Sequence, residues 1–278
     1  TLLRNLLQKM PPYCKQFFIG IEPTTSSRTR IAYAYDLNCF FDYLHENNPL
    51  CTKKDITEIP LSVLGNLAPM DIEEYLSYLK YYEKDGVEHT NDERGLKRKL
   101  ASLRSFYRYL YKNEMIGQDP AVKVDMPKIH EKTITRLDID EVANLLDEVE
   151  SGESLTEKQQ KFHEKTKTRD LAMMTLLLGT GIRVSECVGL DMDDVDFKNN
   201  GIKVTRKGGN EMVVYFGEEV ENALKRYLEI REGITPLAGH EHALFYSAQR
   251  KRMGVQAVEN MVKKYSRQIT TTKKITPH

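Results

Sequence analysis

Gly179-Thr180-Gly181-Ile182-Arg183 stands between an apolar run, Asp170–Leu178, and a helical stretch that opens at Val184. A glycine turn that ends one helix delivers Arg183 to the start of the next, where free backbone N–H groups and the helix dipole favour an anion. This is not a nucleotide-binding glycine loop, because no strand precedes it and the glycine spacing is wrong. Taken alone, the segment reads by default as a capping turn with a surface arginine. Lys207, in Val204-Thr205-Arg206-Lys207-Gly208-Gly209-Asn210, falls at the tip of an expected hairpin, where a mobile ammonium can reach a leaving oxygen. The plain alternative is a solvated turn lysine. His278 closes Lys274-Ile275-Thr276-Pro277-His278 and could pass a proton, although a lone histidine is more often a surface or core residue.

The elements that must position these groups fall into two sets. Over the first ~120 residues the spacing of apolar side chains predicts helices near Ile31–Leu44, Met70–Tyr82 and Arg94–Tyr111. Asp119-Pro120 and Met126-Pro127 then stop the pattern, and Ala121–Lys132 reads as a linker. A second domain opens at Asp138, an expected N-cap with Glu141 as its reciprocal partner three residues on. The polar stretch Ser151–Lys167 reads as a loop or short excursion. Ile202–Thr205 and Met212–Phe216 predict a hairpin turning at Gly208-Gly209-Asn210. Val220–Arg231 and Val255–Arg267 predict helices, with a short extended piece at Ala243–Tyr246. The domains expected are thus 1–122, a linker over 123–134, and 135–278; the fold class is mainly α with a small antiparallel β-sheet.

Arg94–Lys112 carries seven basic residues and no acid. At ~100° per residue, Leu96, Leu100, Leu103, Phe106, Tyr107 and Leu110 gather on one side, and Arg94, Lys97, Arg98, Arg104, Arg108 and Lys112 on the other, with Lys99 the exception. A helix held by its apolar face and presenting cations without a carboxylate in the run suits phosphate contact in a nucleic-acid groove. A second patch, Arg250-Lys251-Arg252, precedes the helix carrying Lys263, Lys264 and Arg267.

Composition agrees without deciding. The formal net charge is zero, with 41 basic and 41 acidic side chains. That balance hides a polar distribution, with fourteen basic and eight acidic residues over 200–278 against eight and fifteen over 136–199. The run of ~20 apolar residues needed for a membrane span is absent, as is a secretory pattern, so membrane insertion is not expected. The first residue is Thr1 rather than Met, which suggests a trimmed start. Four cysteines lie far apart, with no C-x-x-C pair, and read as reduced thiols of a cytoplasmic protein. No phosphate-binding loop and no cluster with metal-ligand spacing is present, so neither cofactor nor metal is expected.

In this order and at these separations, the three segments resemble the catalytic domain of the tyrosine recombinases, also called phage-type integrases. The upstream region, with Ser26, Tyr33, Leu37, Phe41, Leu44 and the basic helix, resembles their helical, SAM-like core-binding domain. The strings Val204–Gly209 and Val258–Ser266 are most similar to the Xer type, which resolves chromosome dimers, and within it to the single-recombinase form of streptococci. The resemblance implies a mixed α/β catalytic domain and strand exchange through a 3′-phosphotyrosine, without ATP or divalent metal. Arg183 matches the first clamp arginine, Lys207 the lysine that protonates the departing 5′-oxygen, and His278 the first histidine or lysine of the second motif. Glu186 matches an acidic position that supports the fold beside Arg183. The implied partners are a double-stranded DNA site, gripped by Arg28, Arg30, Arg94, Lys97, Arg98, Arg104, Arg108, Arg206, Arg250, Lys251 and Arg252, and further protomers in a tetramer on two sites. Action on the nucleoid in the cytoplasm follows.

The family's second arginine and its nucleophilic tyrosine would follow His278. None of the fifteen tyrosines occupies that place, and Tyr265 precedes the second motif. The chain is therefore expected to be C-terminally truncated, to bind DNA and to cleave none. A mobile-element integrase, a DNA-binding module derived from a recombinase, and a type IB topoisomerase are the competing readings.

Overall fold

The structure is a computed structural model and describes residues 2–84, 86–130, 136–206, 208–267, 273, 275 and 276. The chain divides into two units, Thr1–Lys132 and Thr133–His278.

The first unit is built from helices α1 (Leu2–Leu7), α2 (Pro12–Gly20), α3 (Ser27–Asn47), α4 (Leu61–Asn66) and α5 (Pro69–Tyr78), a hairpin β1 (Tyr81–Lys84) and β2 (Val87–Thr90), and helix α6 (Glu93–Lys112). Ser26 caps α3 by accepting from the Thr29 N–H, and Asp92 caps α6 by accepting from the Gly95 N–H. The apolar face expected of α6 is buried, with Leu100, Phe106, Tyr107 and Leu110 packed among Leu37, Phe40 and Phe41 of α3. Two expectations are corrected. The helix expected over Met70–Tyr82 stops at Tyr78, and Tyr81 and Tyr82 instead enter the β1–β2 hairpin, where Tyr82 stacks on both Tyr78 and His89. The segment beginning at Ala121 is not free linker from its start. Pro120–Lys123 forms a 3-10 turn, and Ala121 and Val124 are buried in the first core.

The second unit continues with α7 (Ile139–Ser151), α8 (Glu157–Thr180), α9 (Val184–Gly189), a sheet of β3 (Val195–Asp196), β4 (Gly201–Thr205) and β5 (Glu211–Tyr215), then α10 (Glu218–Glu232) and α11 (Val255–Ser266). The sheet is antiparallel in order β3-β4-β5, with Ile202 opposite Val214 and Val204 opposite Met212. The Asp138 N–H donates to the Glu141 carboxylate at 2.8 Å, as the expected N-cap arrangement requires.

The stretch Ser151–Lys167 is the third correction. It is largely helix, because α8 starts at Glu157 and runs unbroken to Thr180. Thr156 Oγ1 accepts from the Gln159 N–H, and the Thr156 N–H donates to Gln159 Oε1 at 3.0 Å. A polar composition concealed this first half. Only His163 is buried before Asp170, so no apolar stripe marks it. Apolar density comes later, where Ala172, Met173, Met174 and Leu176 fill the second core together with Val184, Cys187, Ile202, Leu224 and Phe245.

Candidate functional site

The end of α8 sets the first element of the site. Gly181 takes a left-handed conformation, φ 65°, and its N–H returns to the Leu177 carbonyl, closing the helix. Two residues later Arg183 is the N-cap of α9. Its backbone N–H donates to Glu186 Oε2 at 2.9 Å, and its guanidinium donates to Glu186 Oε1 at 2.8 Å. Glu186 is thus the reciprocal cap and the anchor of the side chain it faces. Its side chain is 5% exposed and that of Arg183 is 61% exposed, so the pair is pinned on its inner edge and open on its outer one.

Burial by itself would raise the Glu186 carboxyl. The Arg183 backbone N–H, its guanidinium and the nearby Arg206 charge outweigh it and hold Glu186 below the usual carboxylate range. An ionised Glu186 fixes Arg183 at one guanidinium nitrogen and leaves the rest of the fork to meet an anion from solvent.

The β4–β5 hairpin brings Arg206 near the same pair. β4 packs on α9, and the strand pair is closed by the Arg206 N–H bonding the Asn210 carbonyl at 2.7 Å. Gly208 and Gly209 both take positive φ, 98° and 83°, in the turn the sequence predicted. Arg206 is exposed, and its charge acts on Glu186. Lys207 and His278 lie outside the described residues. What is described is residues close to them in sequence. Arg206 reaches the Arg183–Glu186 pair electrostatically, and Ile275 and Thr276 line a cleft of about 330 Å³ together with Gly181, Ile182, Arg183, Leu178 and Val262.

Other basic residues separate into exposed and committed groups. In the first unit Arg28, Arg94, Lys97, Arg98, Arg108 and Lys112 are exposed. Arg98 and Lys99 nevertheless share the buried Asp36 of α3, with Lys99 Nζ at 3.4 Å and Ser102 Oγ adding a bond of 2.7 Å. The basic face therefore does have a carboxylate partner, supplied by another helix and invisible within the run itself. Arg104 donates to the carbonyls of Ala121 and Val124, fastening the 3-10 turn to α6. Arg30 bonds the carbonyls of Glu22 and Thr25 and pairs with the Glu22 carboxylate.

In the second unit Arg250 and Lys251 are exposed on a turn where Arg250 has φ 60°. Arg252 turns inward to the carbonyls of Val188 and Leu190 and to Asp191. Sequence reasoning missed a buried cluster altogether. Tyr265 OH donates to Asp170 at 2.9 Å and meets His163 Nδ1 at 3.1 Å, while Lys264 Nζ donates to Tyr265 OH at 2.6 Å. Its only trace in the sequence is a polar helix that ought to have been a loop. Among the described residues no group of three or more His, Cys, Asp or Glu side chains could hold a metal ion, and no helix is long and apolar enough to cross a membrane.

Residues 135–278 match the phage integrase family, and residues 15–114 match the phage integrase N-terminal SAM-like domain. Tyrosine recombinase XerS of Streptococcus uberis is 32% identical over 282 aligned residues, covering 91% of this chain and 77% of that protein. Tyrosine recombinase XerC of Caldanaerobacter subterraneus subsp. tengcongensis is 31% identical over 268 residues, covering 92% and 69%. Among solved structures, the Tn1549 transposon integrase in complex with circular intermediate DNA superposes with a TM-score of 0.63 at 18% identity, over 95% of this chain and 82% of that one. This last likeness concerns the fold.

Proposed function

The chain belongs to the phage integrase family, and from that premise we propose that it is the DNA-gripping part of an Xer-type site-specific recombinase that resolves chromosome dimers on nucleoid DNA in the cytoplasm. The observation that carries this reading is the crowding of three distant segments around one open guanidinium. Arg183 faces solvent from the start of α9, Arg206 acts on its partner Glu186, and Ile275 and Thr276 share its cleft. Two relatives above 30% identity are named Xer recombinases, which favours this type over a mobile-element integrase.

In the proposed chemistry a tyrosine hydroxyl attacks a DNA phosphorus, the bond to the 5′-oxygen breaks, and a 3′-phosphotyrosine remains. Arg183 binds non-bridging oxygens, whose charge grows in the pentavalent state, and its planar fork suits them. Lys207 gives its proton to the departing 5′-oxygen, and His278 assists by hydrogen bonding and proton transfer. Every tyrosine of the sequence precedes His278. Tyr265, the last of them, is fully buried with its hydroxyl committed to Asp170, and burial raises its pKa far above the ordinary phenol value. In this reading Tyr265 is not the nucleophile, and the 278-residue chain binds duplex DNA and leaves it intact.

Grip on the duplex comes from the exposed cations Arg28, Arg94, Lys97, Arg98 and Arg108 of the first unit and Arg206, Arg250 and Lys251 of the second. Arg30, Arg104 and Arg252 contribute by shaping the surfaces around them. Further protomers complete a tetramer on two sites.

A nicked duplex carrying a candidate site tests this. The chain should retard it without forming a covalent adduct, and the gene product containing the chain together with a downstream tyrosine should be trapped on it. Failure to bind any duplex would overturn the proposal. Adducts on random DNA, with relaxation of supercoils and no strand exchange, would replace it with a topoisomerase.

A further inference from the structure

We propose that Arg252 is a positioning residue for Arg183, acting through α9 rather than touching DNA. This inference rests on the reading of Arg183 as the phosphate clamp. Sequence alone groups Arg252 with Arg250 and Lys251 as one basic patch. The fold separates them. A turn closed by the Ser247 N–H on the Lys251 carbonyl at 2.7 Å leaves Arg250 and Lys251 outside. Arg252 is then fixed by an antiparallel bridge to Tyr246, and the next N–H, that of Met253, bonds the Phe245 carbonyl at 3.0 Å.

From that anchored position one guanidinium nitrogen of Arg252 donates to the Val188 carbonyl at 3.1 Å and the Leu190 carbonyl at 2.9 Å, while the other pairs with Asp191. Val188 and Leu190 flank the last residue of α9, Gly189, and Arg183 caps the first, Val184. A helix of six residues is about 9 Å long, and too short to persist by its own hydrogen bonds. Its direction is set by what holds its two ends. Glu186 closes the N-terminal end onto Arg183, and at the C-terminal end Arg252 bonds the Val188 carbonyl and shares the Leu190 carbonyl with the Leu244 N–H at 2.9 Å. Only an arginine can do this, because its fork reaches two carbonyls and a carboxylate at once, whereas a lysine is a single point charge. If the C-terminal end swings, the N-cap swings with it, and the Arg183 guanidinium leaves the place where a phosphate would be met.

Arg252→Lys in the 278-residue chain, studied without DNA, separates the possibilities. Arg252→Lys keeps the positive charge at this position, so a change at Glu186 is expected to travel through α9. In the parent protein the Glu186 side-chain carboxyl, followed by carbon-13 NMR, should titrate below the ordinary glutamate value. In Arg252→Lys its midpoint should climb toward that value. At neutral pH, exchange of the Arg183 backbone amide should quicken by about ten-fold as its bond to Glu186 loosens. A lower melting temperature with both readings unmoved would reduce Arg252 to a stabilising contact and overturn the proposal. If Arg252→Lys does not fold, Asp191→Asn, which spares both carbonyl bonds, should move the readings in the same direction by a smaller amount. No movement in that variant would likewise overturn it. Because no DNA enters these measurements, they can succeed even where the phosphate reading of Arg183 fails.

Discussion

Arg98 donates to Asp36, a carboxylate sixty-two positions earlier on α3 whose side chain is 2% exposed, while the arginine itself remains half in solvent. A residue expected to serve the outer face of α6 thus also ties that helix to α3. Lys99 and Ser102 complete the cage around the same carboxylate. Asp36→Ala should therefore cost about 3–5 kcal/mol, because it leaves the buried ammonium of Lys99 uncompensated. Arg98→Ala should cost under about 1 kcal/mol, since its half-exposed charge is screened. Urea denaturation of the two variants measures the difference, and equal losses would contradict it.

Salt dependence of DNA binding distinguishes grip from support. Lys97→Ala or Arg108→Ala should each reduce the slope of log affinity against log salt by about one while leaving stability within about 0.5 kcal/mol. Arg104→Ala should leave the slope unchanged and destabilise the protein by about 1–3 kcal/mol, because the Ala121 and Val124 carbonyls lose their donor. Filter binding across a salt series, paired with thermal melts, reads both quantities.

Arg183→Ala in the gene product carrying the nucleophile should abolish covalent adducts on a nicked site, a loss of at least about 10²-fold in cleavage rate. Duplex affinity should change by less than about ten-fold, since one phosphate contact among many is removed. A matching collapse of binding and cleavage in a protein that still melts normally would show that Arg183 grips rather than catalyses.

His163 should make the stability of the second unit depend on pH. Burial, with Lys264 nearby, lowers its pKa below the ordinary value of 6.5, and its Nε2 atom is buried without a hydrogen-bond partner. The folded state therefore binds fewer protons than the unfolded one. Stability from this residue is complete above about 6.5 and declines as pH falls from there toward the lowered folded-state value. Comparing melts of the parent protein and His163→Gln at pH 5 and pH 7.5 tests the sign. The parent should lose more on acidification than the variant.

What the sequence determined by itself was local. Gly181 had to end α8 because only a glycine takes its positive φ without strain, and the glycine pair had to turn the β4–β5 hairpin for the same reason. The apolar stripe of α6 and the Asp138–Glu141 cap were legible because each depends on residues a few positions apart. The order of the three cationic segments likewise sufficed to suggest the family. What only the tertiary structure decided was which cations stay free. Asp36 claims Lys99 and shares Arg98 with solvent, the carbonyls of Ala121 and Val124 claim Arg104, and the end of α9 claims Arg252. The polar first half of α8 was settled the same way, through the buried contacts of His163 and Asp170 with Tyr265. In each case the deciding partner lies seventeen or more positions away, or is a backbone carbonyl that no residue type announces. A charged side chain carries the same symbol whether water or a buried acceptor surrounds it, and only the packed chain supplies the acceptor.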